Sequence, residues 1–300
     1  MRKFIAGIAI SLGLMLVGSS SVVKEAAAVN VGGSSQTSAW VQAHHTRSRL
    51  IAGRYVNDAD RLKVRAGIHI ELDPEWKTYW RTPGGAGGVS PYFDWQASKN
   101  VKSVEVLYPA PARIRGEDGY SIGYKGAVVF PVIIEAIDAR EPVELALRLD
   151  YGVCKDICVP VQTKHYLSVS SLQGRGSYGR VDAQLIERYA LKVPLKNAKP
   201  GGEQPFVKDV RINLKDAPNS LIVDAEFPAG VAGADLFVEA PEGLYVALPE
   251  RKALGETGGM RFLIDLTKGE DPKLFKGKEL TLTLVSDRGQ SEVRWRVPLK

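Results

Sequence analysis

Tyr151-Gly152-Val153-Cys154-Lys155-Asp156-Ile157-Cys158-Val159-Pro160 holds both cysteines of a 300-residue chain. Three residues separate the thiols, and such spacing serves three chemistries: a disulfide staple, a soft-metal clamp or a working dithiol–disulfide centre. As a staple the pair does little, because closing a loop of about five residues stabilises by ~2 kcal/mol, against nearly 5 for a loop of about 100. A chain of this size builds its cores without such help, and small, easily reduced rings are typically regulatory or catalytic. Exchange needs two adjacent thiols, one to attack a partner's disulfide and one to resolve the mixed disulfide. Two thiolates also suit Cu(I), whereas a structural zinc takes four ligands and no further set accompanies this pair. The spacing alone leaves staple, copper and exchange open.

The neighbours of the pair pull in opposite directions. Lys155 lowers a nearby thiol pKa and Asp156 raises it, so the attacking sulfur is not set by charge. His165 lies seven residues past Cys158, roughly 23 Å along an extended strand at ~3.3 Å per residue, too far to act as a base. His44, His45 and His69 have no sequence link to the pair and are expected at ordinary surface positions.

The elements that must position the cysteines are strands. Leu62, Val64, Ala66, Ile68 and Ile70 alternate with Lys63, Arg65, His69 and Glu71 over Arg61–Leu72, the signature of a half-buried strand. Further strands are expected over Val101–Tyr108, Ala127–Ala136, Val143–Tyr151 and Val159–Val169, with turn residues between them. Leu145, Leu147, Leu149 and Tyr151 alternate up to Gly152, and Val159, Val161, Leu167 and Val169 share one set afterwards. The cysteines therefore sit where one strand turns into the next, at an exposed end of a sandwich. Val181, Leu185, Ile186, Tyr189, Ala190 and Val193 recur at helical spacing and Pro194 ends that run. Asn197–Pro205 is a Pro/Gly linker, and six more strands follow between Val207 and Leu299. The expected fold class is all-β: two immunoglobulin-like β-sandwich domains, 48–172 and 205–300, joined by a short helix and linker over 173–204.

Arg2 and Lys3, an uncharged apolar run from Phe4 to Val17, and Ala26-Ala27-Ala28 read as a secretory signal peptide over 1–28. The run is shorter than the ~20 residues a membrane span needs. Residues 29–47 read as a flexible arm. Removal of 1–28 takes away three positive charges and one negative, lowering the formal charge from +6 to +4. Lys and Arg are scattered among Asp and Glu, which sets nucleic acid aside. The protein is expected to be exported into a space where disulfides persist.

Wider stretches around the pair carry a resemblance. "LRLDYGVCKDICVPVQTKHYLSV", "DPEWKTYWRTPGGAGGVSPYFDW" (Asp73–Trp95), "YPAPARI" (Tyr108–Ile114) and "GYSIGYKGAVVFPVII" (Gly119–Ile134) resemble the periplasmic N-terminal domain of bacterial thiol:disulfide interchange proteins, the DsbD and ScsB families. The similarity covers roughly Ile51–Val169 and is closest to the ScsB branch. The resemblance implies an immunoglobulin-like sandwich, and electrons passed from a membrane-embedded thiol reductase of the DsbD or CcdA type to periplasmic thioredoxin-like or disulfide isomerase proteins. Among these recipients are proteins of cytochrome c maturation and copper stress. By position, Cys154 and Cys158 carry over as the redox pair, with no bound cofactor. The family shields its first cysteine with an aromatic cap; the matching loop here, Gly116–Tyr124, offers Tyr120 and Tyr124, with Lys155 and Asp156 completing the surroundings. The family's best-known members hold their cysteines further apart in sequence. No membrane helix follows, so a separate membrane protein is the expected reductant.

The aromatic stretch Trp76, Tyr79, Trp80, Tyr92, Phe93 and Trp95 reads as core and corner packing, or as a docking face for partner proteins in which Trp80 and Arg81 take part. Two other functions stay in play: a Cu(I)-binding copper-tolerance protein, and a non-catalytic docking module with a structural disulfide.

Overall fold

A computed structural model describes residues 37–58, 61–85, 87–116, 119–169, 180–213, 219–241, 244–255, 258–269 and 271–299. The expected signal peptide, 1–28, and the first part of the arm, 29–36, lie outside the described residues. From Ser35 onward the chain forms one unit.

The first half is built from β1 (Val41–Ala43), β2 (Thr46–Asp58), β3 (Arg61–Leu72), β4 (Lys77–Tyr79), β5 (Tyr92–Asp94), β6 (Val101–Val106), β7 (Ala112–Gly116), β8 (Gly119–Lys125), β9 (Ala127–Ala136), β10 (Val143–Cys154) and β11 (Cys158–Val169). One sheet has the order β1-β2-β3-β9-β6; the other has β11-β10-β4-β8-β7, with β5 also paired to β10. Alternation decides which residues meet between the sheets. Val64, Ile68, Ile70, Phe130 and Val132 on one sheet pack against Leu145, Leu147, Leu149, Tyr151 and Val153 on the other, all buried. Burial of each such side chain contributes roughly 1.5–3 kcal/mol.

α1 (Arg180–Ala190) lies on the outer face of the first sheet, where Ile186 packs on Ile51 and Val129. Arg49 pairs with Asp182 and Arg65 with Glu187 on either side of that contact. The chain continues through β12 (Leu195–Lys196), β13 (Phe206–Asn213), β14 (Ser220–Glu226), β15 (Asp235–Glu239), β16 (Glu250–Leu254), β17 (Gly259–Asp265), β18 (Glu279–Ser286) and β19 (Gly289–Arg296). These form two four-stranded sheets, β12-β19-β18-β15 and β13-β14-β17-β16. Leu221, Val223, Phe262 and Ile264 of one face Leu236, Leu280, Leu282 and Leu284 of the other across a second buried core. The fold is therefore the expected all-β pair of sandwiches. The linker is tied down at both ends: β12 runs parallel to β19, Asn197 N donates to Glu292 O, and Gln290 N donates to Gln204 Oε1.

Two expectations need correction. Residues 37–47 are not a loose arm: Thr37 bridges to Ile51, and Val41–Ala43 pairs antiparallel with β2. His69 is buried rather than at the surface, because Trp40 and Arg49 close over it from neighbouring positions. His165 is buried as well, with its Nε2 among Ser48 and Thr163 hydroxyls and its Nδ1 without a hydrogen-bond partner among the described residues.

Burial lowers both imidazole pKa values to about 4; at His69 the Glu71 carboxylate acts the other way. The unfolded chain titrates these groups near 6.5, so between about pH 6.5 and 4 it binds more protons than the folded protein. Stability from these groups is full above that window and falls as pH drops through it. Urea unfolding is expected to give a lower stability at pH 4.5 than at pH 7, with His165→Asn reducing the difference by roughly 1–3 kcal/mol; an identical pH slope in the variant would contradict this.

Candidate redox site

β10 and β11 form a hairpin whose register runs without a slip from Val143↔Val169 to Cys154↔Cys158. Residues opposite one another in an antiparallel pair point to the same face, and the Cys154 and Cys158 Cα atoms lie 4.2 Å apart, joined by a disulfide. Lys155, Asp156 and Ile157 make the turn, closed by Lys155 N donating to Ile157 O at 3.3 Å. On β11 the odd-numbered residues from Val161 onward are buried and the even-numbered ones exposed. The cysteines belong to the even set, so the disulfide lies on the outer face of its sheet and takes no part in the core between the sheets.

The two sulfurs nevertheless have different surroundings. Cys158 is on the edge strand and exposed; Cys154 is on an interior strand and only 1 % exposed. What covers Cys154 is Tyr79. β4 pairs with the end of β10, Thr78 opposite Val153 and Lys77 opposite Cys154. Thr78 Oγ1 donates to Gly152 O at 2.8 Å, which puts the next side chain, Tyr79, on the outer face. Its hydroxyl donates to Cys154 Sγ at 2.9 Å and stands 3.0 Å from Cys158 Sγ. Burial raises the Tyr79 pKa, with a Ser121 hydrogen bond acting the other way, so the phenol remains a donor at neutral pH. Beside it a cleft of about 250 Å³ is lined by Cys158, Tyr79 and Ser121, and by the charged groups of Lys77, Arg115, Lys125, Lys155, Glu75 and Asp156. Lys155 Nζ is 2.6 Å from Glu75 Oε2, and that hydrogen bond raises the Lys155 pKa. Cationic walls favour a thiolate over a thiol.

The remaining expected site residues are placed elsewhere. Tyr120 does not line the cleft; strand alternation in β8 turns Gly119 and Ser121 toward it, and Tyr120 stands under Arg113 at 5.7 Å and lines a different cleft together with Asp235 and Phe237. Tyr124 is core: its hydroxyl donates to Pro109 O at 2.8 Å and its ring meets Phe130 edge-on. Neither acts as the aromatic cap expected for them. Trp80 is fully buried and packs on Phe237 of the second sandwich. Arg81 stacks on Trp80, makes a bidentate contact with Glu239 at 2.6–3.0 Å, and also donates to Glu292. The supposed partner-docking pair is thus occupied within the chain. Sequence reasoning missed the role of Tyr79, which it placed only among packing aromatics; a three-residue strand between turns shows no period from which a face can be read. Among the described residues, no group of three or more His, Cys, Asp or Glu is placed to hold a metal, and no helix is long and apolar enough to cross a membrane.

The unequal exposure makes a prediction. In the reduced protein, iodoacetamide is expected to modify Cys158 at least about tenfold faster than Cys154, read by peptide mass spectrometry; equal rates would contradict the assignment of Cys158 as the accessible sulfur.

The family model for "Thiol:disulfide interchange protein DsbD, N-terminal" matches residues 50–170. The fold is similar to the crystal structure of the N-terminal periplasmic domain of ScsB from Proteus mirabilis, with a TM-score of 0.67 and 19% sequence identity, over 88% of this chain and 99% of that one. No curated protein matches the sequence. The matched residues, 50–170, hold the disulfide hairpin, Tyr79 and the cleft, so the likeness to the DsbD N-terminal family falls on the part of the chain that carries the site.

Proposed function

We propose that the protein performs thiol–disulfide exchange in the periplasm, passing reducing equivalents from a membrane-embedded thiol reductase to periplasmic thioredoxin-like or disulfide isomerase proteins through Cys154 and Cys158. The observation that carries this reading is one disulfide with an exposed sulfur and a sheltered one, joined across a three-residue turn on the outer face of a sheet. A staple has little to do there, since β10 and β11 are already paired along their whole length. The match to the DsbD N-terminal family supports an interchange module.

The chemistry balances with two thiols and no cofactor. The Cys158 thiolate attacks a sulfur of the partner's disulfide; a Cys158–partner S–S bond forms and the partner's other sulfur leaves as a thiolate. The Cys154 thiolate then attacks Cys158 Sγ, the intramolecular disulfide forms, and the partner's second thiolate departs. Two electrons pass to the partner, whose thiolates take up the protons lost by Cys154 and Cys158. The membrane reductase returns the pair to the dithiol by the same two steps in reverse, its attack falling on the exposed Cys158 sulfur. Ile157, 69 % exposed beside Cys158, offers an apolar contact to the incoming partner.

With oxidised thioredoxin as a model acceptor, reduced Cys154→Ser is expected to accumulate a mixed disulfide through Cys158, visible on a non-reducing gel. Cys158→Ser is expected to form none. Each variant should lose no more than about 2 kcal/mol of stability. Unfolding of both variants, with no mixed disulfide from either, would make the bridge a structural one.

A further inference from the structure

β4 and β5 are two parts of one interrupted strand. Both pair antiparallel with β10, Thr78 opposite Val153 and Tyr92 opposite Asp150. Between them the chain leaves the sheet after Trp80, whose N donates to Ile122 O of β8, and residues 81–85 and 87–91 lie between the disulfide and the second sandwich. Immediately after Tyr79, Trp80 packs on Phe237. Arg81 is clamped by Glu239 and Glu292, and Thr82 Oγ1 donates to Glu239 Oε2 at 3.1 Å. Burial opposes the Arg81 charge, yet the hydrogen bonds and charges of the two carboxylates outweigh it and raise its pKa. Further out, Gly85 abuts Tyr245: a Cβ there would lie 2.3 Å from the phenol oxygen. The segment then returns beneath the redox site. Gly88, at φ +140°, fits flat under the Tyr79 ring, where a Cβ would come within 2.3 Å of Cζ. Val89 O accepts from Gly152 N at 3.0 Å. One end of this excursion is held by the second sandwich; the other holds Tyr79 on both sulfurs.

We infer that the second sandwich is a positioning element for the redox pair: through Arg81, Glu239, Glu292 and the Gly85–Tyr245 contact it fixes the excursion that keeps the Tyr79 hydroxyl on Cys154 and Cys158. The inference rests on the exchange reading for its biological meaning. A phenol O–H donated to sulfur binds a thiolate more strongly than a disulfide, so it stabilises the reduced form and lowers the thiol pKa. Loss of that contact moves the pair toward the disulfide and raises the pH at which Cys158 becomes reactive.

The test equilibrates the full mature chain with glutathione redox buffers and measures the pH profile of Cys158 alkylation in the reduced protein. Tyr79→Phe is expected to shift the dithiol–disulfide equilibrium about tenfold toward the disulfide, which for a two-electron couple is about 30 mV, and to move the alkylation profile to higher pH. Arg81→Lys, which breaks the bidentate clamp, is expected to shift both in the same direction by about threefold. In the Tyr79→Phe background it should add nothing. Gly85→Ala is expected to act like Arg81→Lys, and Tyr245→Phe, by removing the atom nearest the added methyl, to restore it; this pair keeps the test open if Arg81→Lys folds poorly. Arg113→Gln is the control. It breaks the contact of Arg113 with Asp235 in the same interface, outside the excursion, and should leave both readouts unchanged. Wild-type equilibria and profiles in Arg81→Lys and Gly85→Ala, or an equal shift in Arg113→Gln, would overturn the inference. A reduced wild-type protein that transfers no electrons to any disulfide acceptor, with no mixed disulfide from Cys154→Ser, would instead overturn the exchange reading, with the differences among variants still measurable.

Discussion

The register of β10 against β11 is the constraint on which the site depends. With Val143 opposite Val169 and no slip along the hairpin, Cys154 must face Cys158, and both must lie on the side of the sheet away from the core. A shift of one residue would send every leucine of β10 to the wrong face, so the apolar packing of Leu145, Leu147 and Leu149 also fixes the meeting of the thiols. The same sheet order makes one sulfur interior and the other an edge group, which is the asymmetry the proposed exchange uses.

The outer face of a sheet would ordinarily leave Cys154 open to solvent. Here Tyr79, at the end of β4, covers it, and the excursion between β4 and β5 sets Gly88 against the Tyr79 ring. The excursion has little packing of its own: it is rich in glycine, and its fixed points are an ion cluster and ring contacts on the second sandwich. Ion pairs of this kind contribute little net stability but hold groups in one geometry. Trp80 and Arg81 are therefore committed to the chain's own architecture, and the disulfide is exposed on the side of Cys158, Ile157 and the charged cleft.

Much of the fold was legible in the sequence because alternation is a local signal. Arg61–Leu72 and Ala127–Ala136 are strands with those bounds, and the leucines of β10 place the cysteines at the hairpin's end. What escaped was short or lacked contrast between faces. β4 and β5 have three residues each, β8 is buried on both faces over Ser121–Tyr124, and β16 is exposed nearly throughout. At the site the cysteines were legible and Tyr79 was not, since its role depends on which face a three-residue strand presents. Tyr120 and Tyr124 looked equivalent in sequence; one points to the other sandwich and the other into the core. Arg81 looked like an interface residue and is one, but its partners Glu239 and Glu292 lie more than 150 positions along the chain, a distance across which sequence pattern carries no pairing information.

The central claim is that Cys154 and Cys158 cycle between dithiol and disulfide. It is tested most directly by a redox titration of the purified protein, with free thiols trapped and counted at each poise. The account predicts a midpoint between about −180 and −270 mV, where exchange proteins lie, whereas a midpoint below about −300 mV would place the pair among structural bridges and contradict it.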